Sequence, residues 1–127
     1  MTVLIDSWAW IEYFKGTPFG KKARDYIEGG DEIVVSSMNI AEVYRFLIAT
    51  RPQDSARFID FMIKTSFVSF LTTEIALEAA KNKHEKKMGM ADAIVLATAA
   101  HHKATIVTGD DDFKGMGDVV YIPGLQG

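Results

Sequence analysis

Apolar residues fall along the chain in two kinds of segment, short continuous runs and longer stretches in which polar residues are mixed with them. The short runs have the length and apolar continuity of buried β-strands, and several longer stretches open and close on typical helix caps. The pattern predicts strands over residues 2–5, 32–36, 67–71, 104–108 and 119–122. It predicts helices over residues 7–15, 18–29, 39–50, 73–87 and 90–100, and a further helix that begins at residue 52. Because strands and helices alternate, we expect one α/β domain over residues 1–127, with a central parallel sheet covered on both faces.

One segment near the C-terminal end of the chain has the most informative pattern. From Met90 to Ala100 the only polar residues are Asp92 and Thr98, so the predicted helix is expected to be buried. A buried carboxylate is costly without a compensating partner, and Asp92 therefore needs one. The strand that follows this helix ends in three consecutive acids, Asp110 to Asp112. Acids that meet at the ends of buried elements suggest a metal site.

Four acidic residues stand where predicted strands end or helices begin. Asp6 ends the first strand, and Asp110 follows the strand after the buried helix. Glu42 and Asp92 lie in the first turns of their predicted helices. Because ligands of open α/β sheets bind beyond the carboxyl ends of the strands, the four acids share one crevice if the two strands are neighbours. Such carboxylates repel one another unless a cation lies between them.

The predicted ligands are all oxygen atoms, which favours Mg²⁺ or Mn²⁺ over zinc. An ion of this kind can activate water and stabilise in-line attack on a phosphodiester. Each acid taken alone also has a structural explanation: Asp6 and Asp92 suit helix starts, and Asp110 to Asp112 suit a solvated turn. Glu42 follows Asn39 by three residues, like the acid of a capping box. Only the joint placement of the four favours the metal site.

The composition narrows the choice of function and location. A formal net charge of −3 and a pI near 5.5 argue against a broad electrostatic surface for nucleic acid. The exception lies between residues 81 and 87, where four lysines against one glutamate give +3, either a solvated helix face or a local binding patch. Cysteine is absent, and no segment is long enough for a signal peptide or a membrane span. We expect a cytoplasmic protein that does not bind membranes.

The chain resembles the PIN domain family, and within it the VapC-type toxins of toxin–antitoxin pairs. The resemblance begins at Leu4-Ile5-Asp6-Ser7 and continues through the helix that contains Glu42. Its most specific part is Ala91-Asp92-Ala93 followed by Val107 to Phe113, which contains the pattern T-x-D-x-D-F.

The resemblance implies a three-layer α/β/α fold and a Mg²⁺- or Mn²⁺-dependent endoribonuclease, a hydrolase acting on RNA. The site it implies consists of the acids Asp6, Glu42, Asp92 and Asp110, with Asp112 assisting and Thr108 supporting the site through a hydrogen bond. It also implies a homodimer and a cognate antitoxin protein that reaches into the acidic site. Asp111 fills a position that the motif leaves open, so the metal ligands among residues 110–112 stay unassigned.

Two other functions compete with the ribonuclease. A catalytically silent PIN-like module that binds RNA or protein has the same fold but little reason to concentrate unpaired carboxylates. A receiver-like signalling domain also gathers acids around Mg²⁺ at strand ends, yet it needs a lysine at the end of a late strand. No lysine follows Val119 to Ile122, so this alternative ranks last.

Overall fold

The computed structural model describes residues 1–122. The strands in this range are β1 (Thr2–Ile5), β2 (Glu32–Ser36), β3 (Phe67–Ser69), β4 (Thr105–Thr108) and β5 (Val119–Tyr121). The helices are α1 (Ser7–Lys15), α2 (Pro18–Ile27), α3 (Ser37–Thr50), α4 (Pro52–Lys64), α5 (Thr73–Lys86) and α6 (Met90–His102), and a 3₁₀ turn spans Asp111–Phe113. Residues 123–127, the end of the predicted single domain, lie outside the described part of the chain.

The five described strands are all parallel and lie in the order β3-β2-β1-β4-β5. The register places Leu4 of β1 opposite Val34 of β2 and Ile106 of β4. The strand order reverses at β1, so β1 and β4 are neighbours although a hundred residues separate them in sequence. The predicted parallel sheet is confirmed. The order differs from the 2-1-3-4-5 order of receiver-type folds, so the receiver-like alternative is wrong.

Alternate residues of the central strands face opposite sides of the sheet and enter two separate apolar clusters. Val3 and Ile5 pack with buried residues of α1, α2, α3 and α4. Leu4 packs on the other side with buried residues of α5 and α6. Helices therefore cover both faces, which confirms the three-layer α/β/α fold and the buried position of α6. None of the described helices has the length and apolar character needed to cross a membrane.

Two predicted boundaries were wrong in ways that matter for the site. Helix α3 begins at Ser37 because Ser36 and Asn39 form a capping box, each accepting a hydrogen bond from a backbone N–H group near the helix start. Glu42 consequently lies in the second turn of α3, not in the first. Strand β3 ends at Ser69, two residues early, because the exposed Phe70 and Leu71 leave the sheet.

The α1–α2 hairpin brings the start of α2 against the sheet. Gly16 ends α1 in the left-handed conformation, as predicted, and Thr17 caps α2. At Gly20 the two helices approach so closely that a Cβ atom would lie 2.1 Å from the carbonyl oxygen of Glu12. This close packing holds Phe19 in the core, where its ring lies against Gly109 directly after β4.

Candidate metal centre

The carboxyl ends of β1 and β4 form the floor of the acidic site. Asp6 follows β1 directly, and its backbone N–H donates a hydrogen bond to the carbonyl oxygen of Val107 in β4 at 3.0 Å. Asp110 is the second residue after the end of β4, with Gly109 between them. Asp92 comes from the first turn of α6. Three separate parts of the chain thus bring carboxylates to one edge of the sheet.

Asp92, Asp110 and Asp112 form the tightest group of acids, which we call the acidic trio. One carboxylate oxygen from each of them lies within 4.8 Å of the other two. The 3₁₀ turn creates this arrangement, because the backbone N–H of Asp112 donates to Oδ1 of Asp110 at 2.9 Å. The side chain of Asp111 instead accepts a hydrogen bond from the Tyr121 hydroxyl on β5. The turn therefore separates Asp111 from its two acidic neighbours.

Asp6 is the most enclosed acid of the site, with 6% of its surface exposed. Its Oδ1 accepts a hydrogen bond from the backbone N–H of Ser7 at 2.8 Å, and its Oδ2 accepts one from the Thr108 hydroxyl at 2.8 Å. The Thr108 oxygen in turn accepts the backbone N–H of Asp110 at 3.0 Å. Asp6 therefore caps α1 and also anchors Asp110 through Thr108, and its oxygens are not part of the acidic trio.

Glu42 approaches Asp6 from α3, by way of a hydrogen bond to Ser7. Its Oε1 accepts a hydrogen bond from the Ser7 hydroxyl at 2.7 Å, and its charge contributes to raising the pKa of Asp6. Its oxygens also lie outside the acidic trio. Ser7 was named only within the segment Leu4-Ile5-Asp6-Ser7 and Asn39 only as a helix cap, so neither was predicted to be a site residue. The sequence contained two signals for these roles: a hydroxyl residue directly after Asp6, and an amide residue three positions before Glu42.

Burial and mutual repulsion raise the pKa values of two of these acids. Loss of solvation is the main cause for Asp6, whose pKa is raised to about 6 in spite of its hydrogen bonds from Thr108 and Ser7. The pKa of Asp92 is raised to about 7, first by loss of solvation and then by Asp112, with which it can share a hydrogen bond only when a proton is present. The charge of Asp110 acts in the same direction. The site therefore favours a positive charge, from protons or from a cation.

The donor atoms of this site suit a hard divalent cation. The acidic trio offers only carboxylate oxygens, the ligands that Mg²⁺ and Mn²⁺ accept. Among the described residues, no histidine belongs to this group. His102 lies elsewhere, with its Nε2 atom 2.8 Å from the Ser69 hydroxyl, and burial lowers its pKa. The geometry thus brings Asp92, Asp110 and Asp112 together and leaves the ligand roles of Asp6 and Glu42 as predictions.

Comparison with known proteins agrees with this fold. The model of the PIN domain family matches residues 3–119. A toxin–antitoxin complex from Klebsiella pneumoniae contains a chain that is 24% identical, with a TM-score of 0.79 over 93% of this chain and 95% of that one. DNA-bound VapBC from Salmonella typhimurium gives 15% identity and a TM-score of 0.76 over 97% and 98% of the two chains.

A third similar structure is VapC20 from Mycobacterium tuberculosis, described as a toxin that cleaves the sarcin–ricin loop. It is 16% identical, with a TM-score of 0.72 over 92% of this chain and 96% of that one. All three identities are low, so these likenesses show a shared fold. Among curated protein sequences there is no significant match.

Proposed function

The chain belongs to the PIN domain family, and from its acidic site we propose that it is a divalent-metal-dependent endoribonuclease, the toxin of a toxin–antitoxin pair. The observation that carries this proposal is the acidic trio, in which oxygens of Asp92, Asp110 and Asp112 lie within 4.8 Å of one another. Repulsion among three adjacent carboxylates disfavours the folded state, and a bound cation removes that repulsion. A module that only binds RNA or protein has little reason to concentrate unpaired carboxylates.

In the proposed mechanism the acidic trio would hold Mg²⁺ or Mn²⁺, with Asp6 and Glu42 as further acids of the same site. The ion supplies Lewis acidity for water attack on an RNA phosphodiester. Thr108 keeps the backbone of Asp110 in place by accepting its N–H group while donating to Asp6. The fixed hydrogen bonds at this edge of the sheet orient the carboxylates before substrate arrives.

Two surfaces support the proposed partners. The four lysines between residues 81 and 87 are exposed at the end of α5, and their positive charge is available to RNA phosphates. Trp8 on α1 and Tyr44 and Ile48 on α3 are large apolar residues with exposed side chains. Such residues suit protein contacts, which agrees with a proposed homodimer and antitoxin. The solved toxin–antitoxin neighbours add to this support.

RNA cleavage by the purified chain tests the proposal. The substrates are total cellular RNA and a synthetic sarcin–ricin loop fragment, chosen because a structural neighbour cleaves that loop. We expect cleavage with Mg²⁺ or Mn²⁺, none with a chelator, and a loss of at least a hundredfold in Asp92→Asn, since removing one electrostatic contact to a reacting centre costs about 10²–10³. Asp25→Asn is the matched control, because Asp25 is exposed on α2 and changes the net charge equally.

The outcomes separate the two functions. Metal-dependent cleavage that Asp92→Asn abolishes and Asp25→Asn retains supports the ribonuclease. Cleavage that persists in Asp92→Asn, or in the presence of chelator, contradicts this site as its source. Absence of both RNA cleavage and Mn²⁺ binding favours the catalytically silent binding module, which does not need a metal site.

A further inference from the structure

Ser7 contacts two acids of the site with two different groups. Its backbone N–H donates to Oδ1 of Asp6 at 2.8 Å, and its hydroxyl donates to Oε1 of Glu42 at 2.7 Å. These acids come from separate elements, Asp6 from the end of β1 and Glu42 from the second turn of α3. Ser7 is therefore the one residue of the described chain that hydrogen-bonds both.

The direction of the Ser7 hydroxyl is fixed by a chain of hydrogen bonds. Asn39 accepts the backbone N–H of Ser36 at 3.2 Å through its Oδ1 atom, and a backbone N–H can only donate. The Nδ2 group of Asn39 must therefore face the other way, where it donates to the Ser7 hydroxyl oxygen at 2.9 Å. With one lone pair occupied in this way, the Ser7 hydroxyl directs its proton to Glu42.

Bulk water does not reach Asn39, which is 0% exposed, and hardly reaches Ser7, which is 8% exposed. Glu42 itself is exposed on the helix surface, and a free glutamate side chain occupies many rotamers. Holding such a side chain in one conformation costs entropy, which a charge-assisted hydrogen bond offsets. The buried amide and hydroxyl thus give an exposed carboxylate a defined place beside Asp6.

We propose that Ser7, oriented by Asn39, is a positioning residue that fixes the Glu42 carboxylate against the acidic site before metal or RNA binds. The effect of Ser7 on metal binding rests on the proposed function. The effect of Ser7 on the conformation of Glu42 does not depend on it. Ser7 acts through Glu42 and Asp6, and it does not itself contact the substrate. Groups that orient metal-binding carboxylates usually change metal affinity by about ten- to a hundredfold when they are removed.

Ser7→Ala tests the proposal, because it deletes the hydroxyl and keeps the backbone N–H that caps α1. Ser55→Ala is the matched control, since Ser55 is also a buried helix serine, 6% exposed, whose hydroxyl donates to the carbonyl oxygen of Pro52 at 2.9 Å. Ser7→Thr returns the hydroxyl as the conservative rescue. Two readouts are needed: the Glu42 conformation in metal-free crystal structures, and the Kd for Mn²⁺ from calorimetry without RNA.

We expect Glu42 to occupy one conformation in the parent chain and in Ser7→Thr, and several in Ser7→Ala. The Kd for Mn²⁺ should rise about tenfold in Ser7→Ala, recover in Ser7→Thr and stay unchanged in Ser55→Ala. A single unchanged Glu42 conformation in Ser7→Ala overturns the positioning role, as does an unchanged Kd for Mn²⁺ in that variant. A parent chain that binds no Mn²⁺ contradicts the proposed function instead, while the Glu42 conformation still decides the role of Ser7.

Discussion

Asp6 shows at the scale of one residue how this site combines stability with function. It lies almost fully buried between β1 and β4, where it accepts hydrogen bonds from Ser7 and Thr108. Those bonds favour its charged form, yet burial dominates and raises its pKa to about 6. Without a cation, the folded chain therefore holds an unfavourable charge at neutral pH.

This balance predicts a pH dependence for the metal-free chain. The folded state keeps a proton on Asp6 up to about pH 6, whereas the unfolded state releases it near 3.8. Between these values the folded state binds more protons, so the free energy of unfolding falls as the pH rises. The full loss from Asp6 alone approaches about 3 kcal/mol, at about 1.36 kcal/mol per pKa unit, and about 2 kcal/mol of it falls between pH 4.5 and pH 8. Urea unfolding with EDTA at pH 4.5 and pH 8 measures it.

The control for this prediction is Asp6→Asn, which has no such proton to release. We expect its free energy of unfolding to change less between the two pH values than that of the parent chain. Equal changes in both proteins would show that the pKa of Asp6 is not raised.

The stabilisation by Mn²⁺ should depend on pH in the opposite sense. We expect Mn²⁺ to raise the free energy of unfolding of the parent chain more at pH 8 than at pH 6, because the ligands must be deprotonated to bind.

The turn after β4 is the element that makes three acids into a cluster. Thr108 and Asp110 form its start, the 3₁₀ turn follows, and Gly109 lies between them against the buried ring of Phe19. A Cβ atom at Gly109 would be 2.7 and 2.9 Å from two ring carbons of Phe19, and 3.2 Å from the carbonyl oxygen of Ile122. The Phe19 ring is 1% exposed, so it is enclosed by the core.

Gly109→Ala is therefore expected to destabilise the chain by about 1–3 kcal/mol, the usual cost of overpacking a core. Because relief of the clash moves the turn, the Mn²⁺-induced rise in Tm should also shrink. Thermal unfolding with and without Mn²⁺ measures both effects. Gly117→Ala is the control, since a Cβ there meets no atom within 4 Å. Gly109→Ala with the stability and Mn²⁺ response of the parent chain would show that the turn tolerates displacement.

Element order was predictable from the sequence, whereas the contacts around Glu42 were not. Apolar runs and caps predicted each described strand and helix with small shifts at the ends. The predicted start of α3 was wrong because two pairs of residues suit a capping box, Ser36 with Asn39 and Asn39 with Glu42. Only the folded structure shows that the box is formed by Ser36 and Asn39. The hydrogen bond between Ser7 and Glu42 links residues 35 positions apart, which no local pattern reveals.

At the scale of the whole molecule, the site depends on the reversal of strand order at β1. The sequence predicted acids at strand ends but left open whether β1 and β4 are neighbours, because hydrophobic patterning does not determine which strands pair. In the structure β1 pairs with β4, and this pairing places Asp6 and Asp110 at adjacent strand ends. The hydrogen bond from Tyr121 of the edge strand to Asp111, which sets Asp111 apart from Asp110 and Asp112, was likewise outside the reach of the sequence.

The most direct test of this account is an anomalous difference map from crystals of the chain grown with Mn²⁺. The account predicts one strong peak within ligand distance of carboxylate oxygens of Asp92, Asp110 and Asp112, and its absence in crystals of Asp110→Asn. A peak coordinated by other residues, or none at saturating Mn²⁺, would contradict the metal centre and with it the proposed ribonuclease.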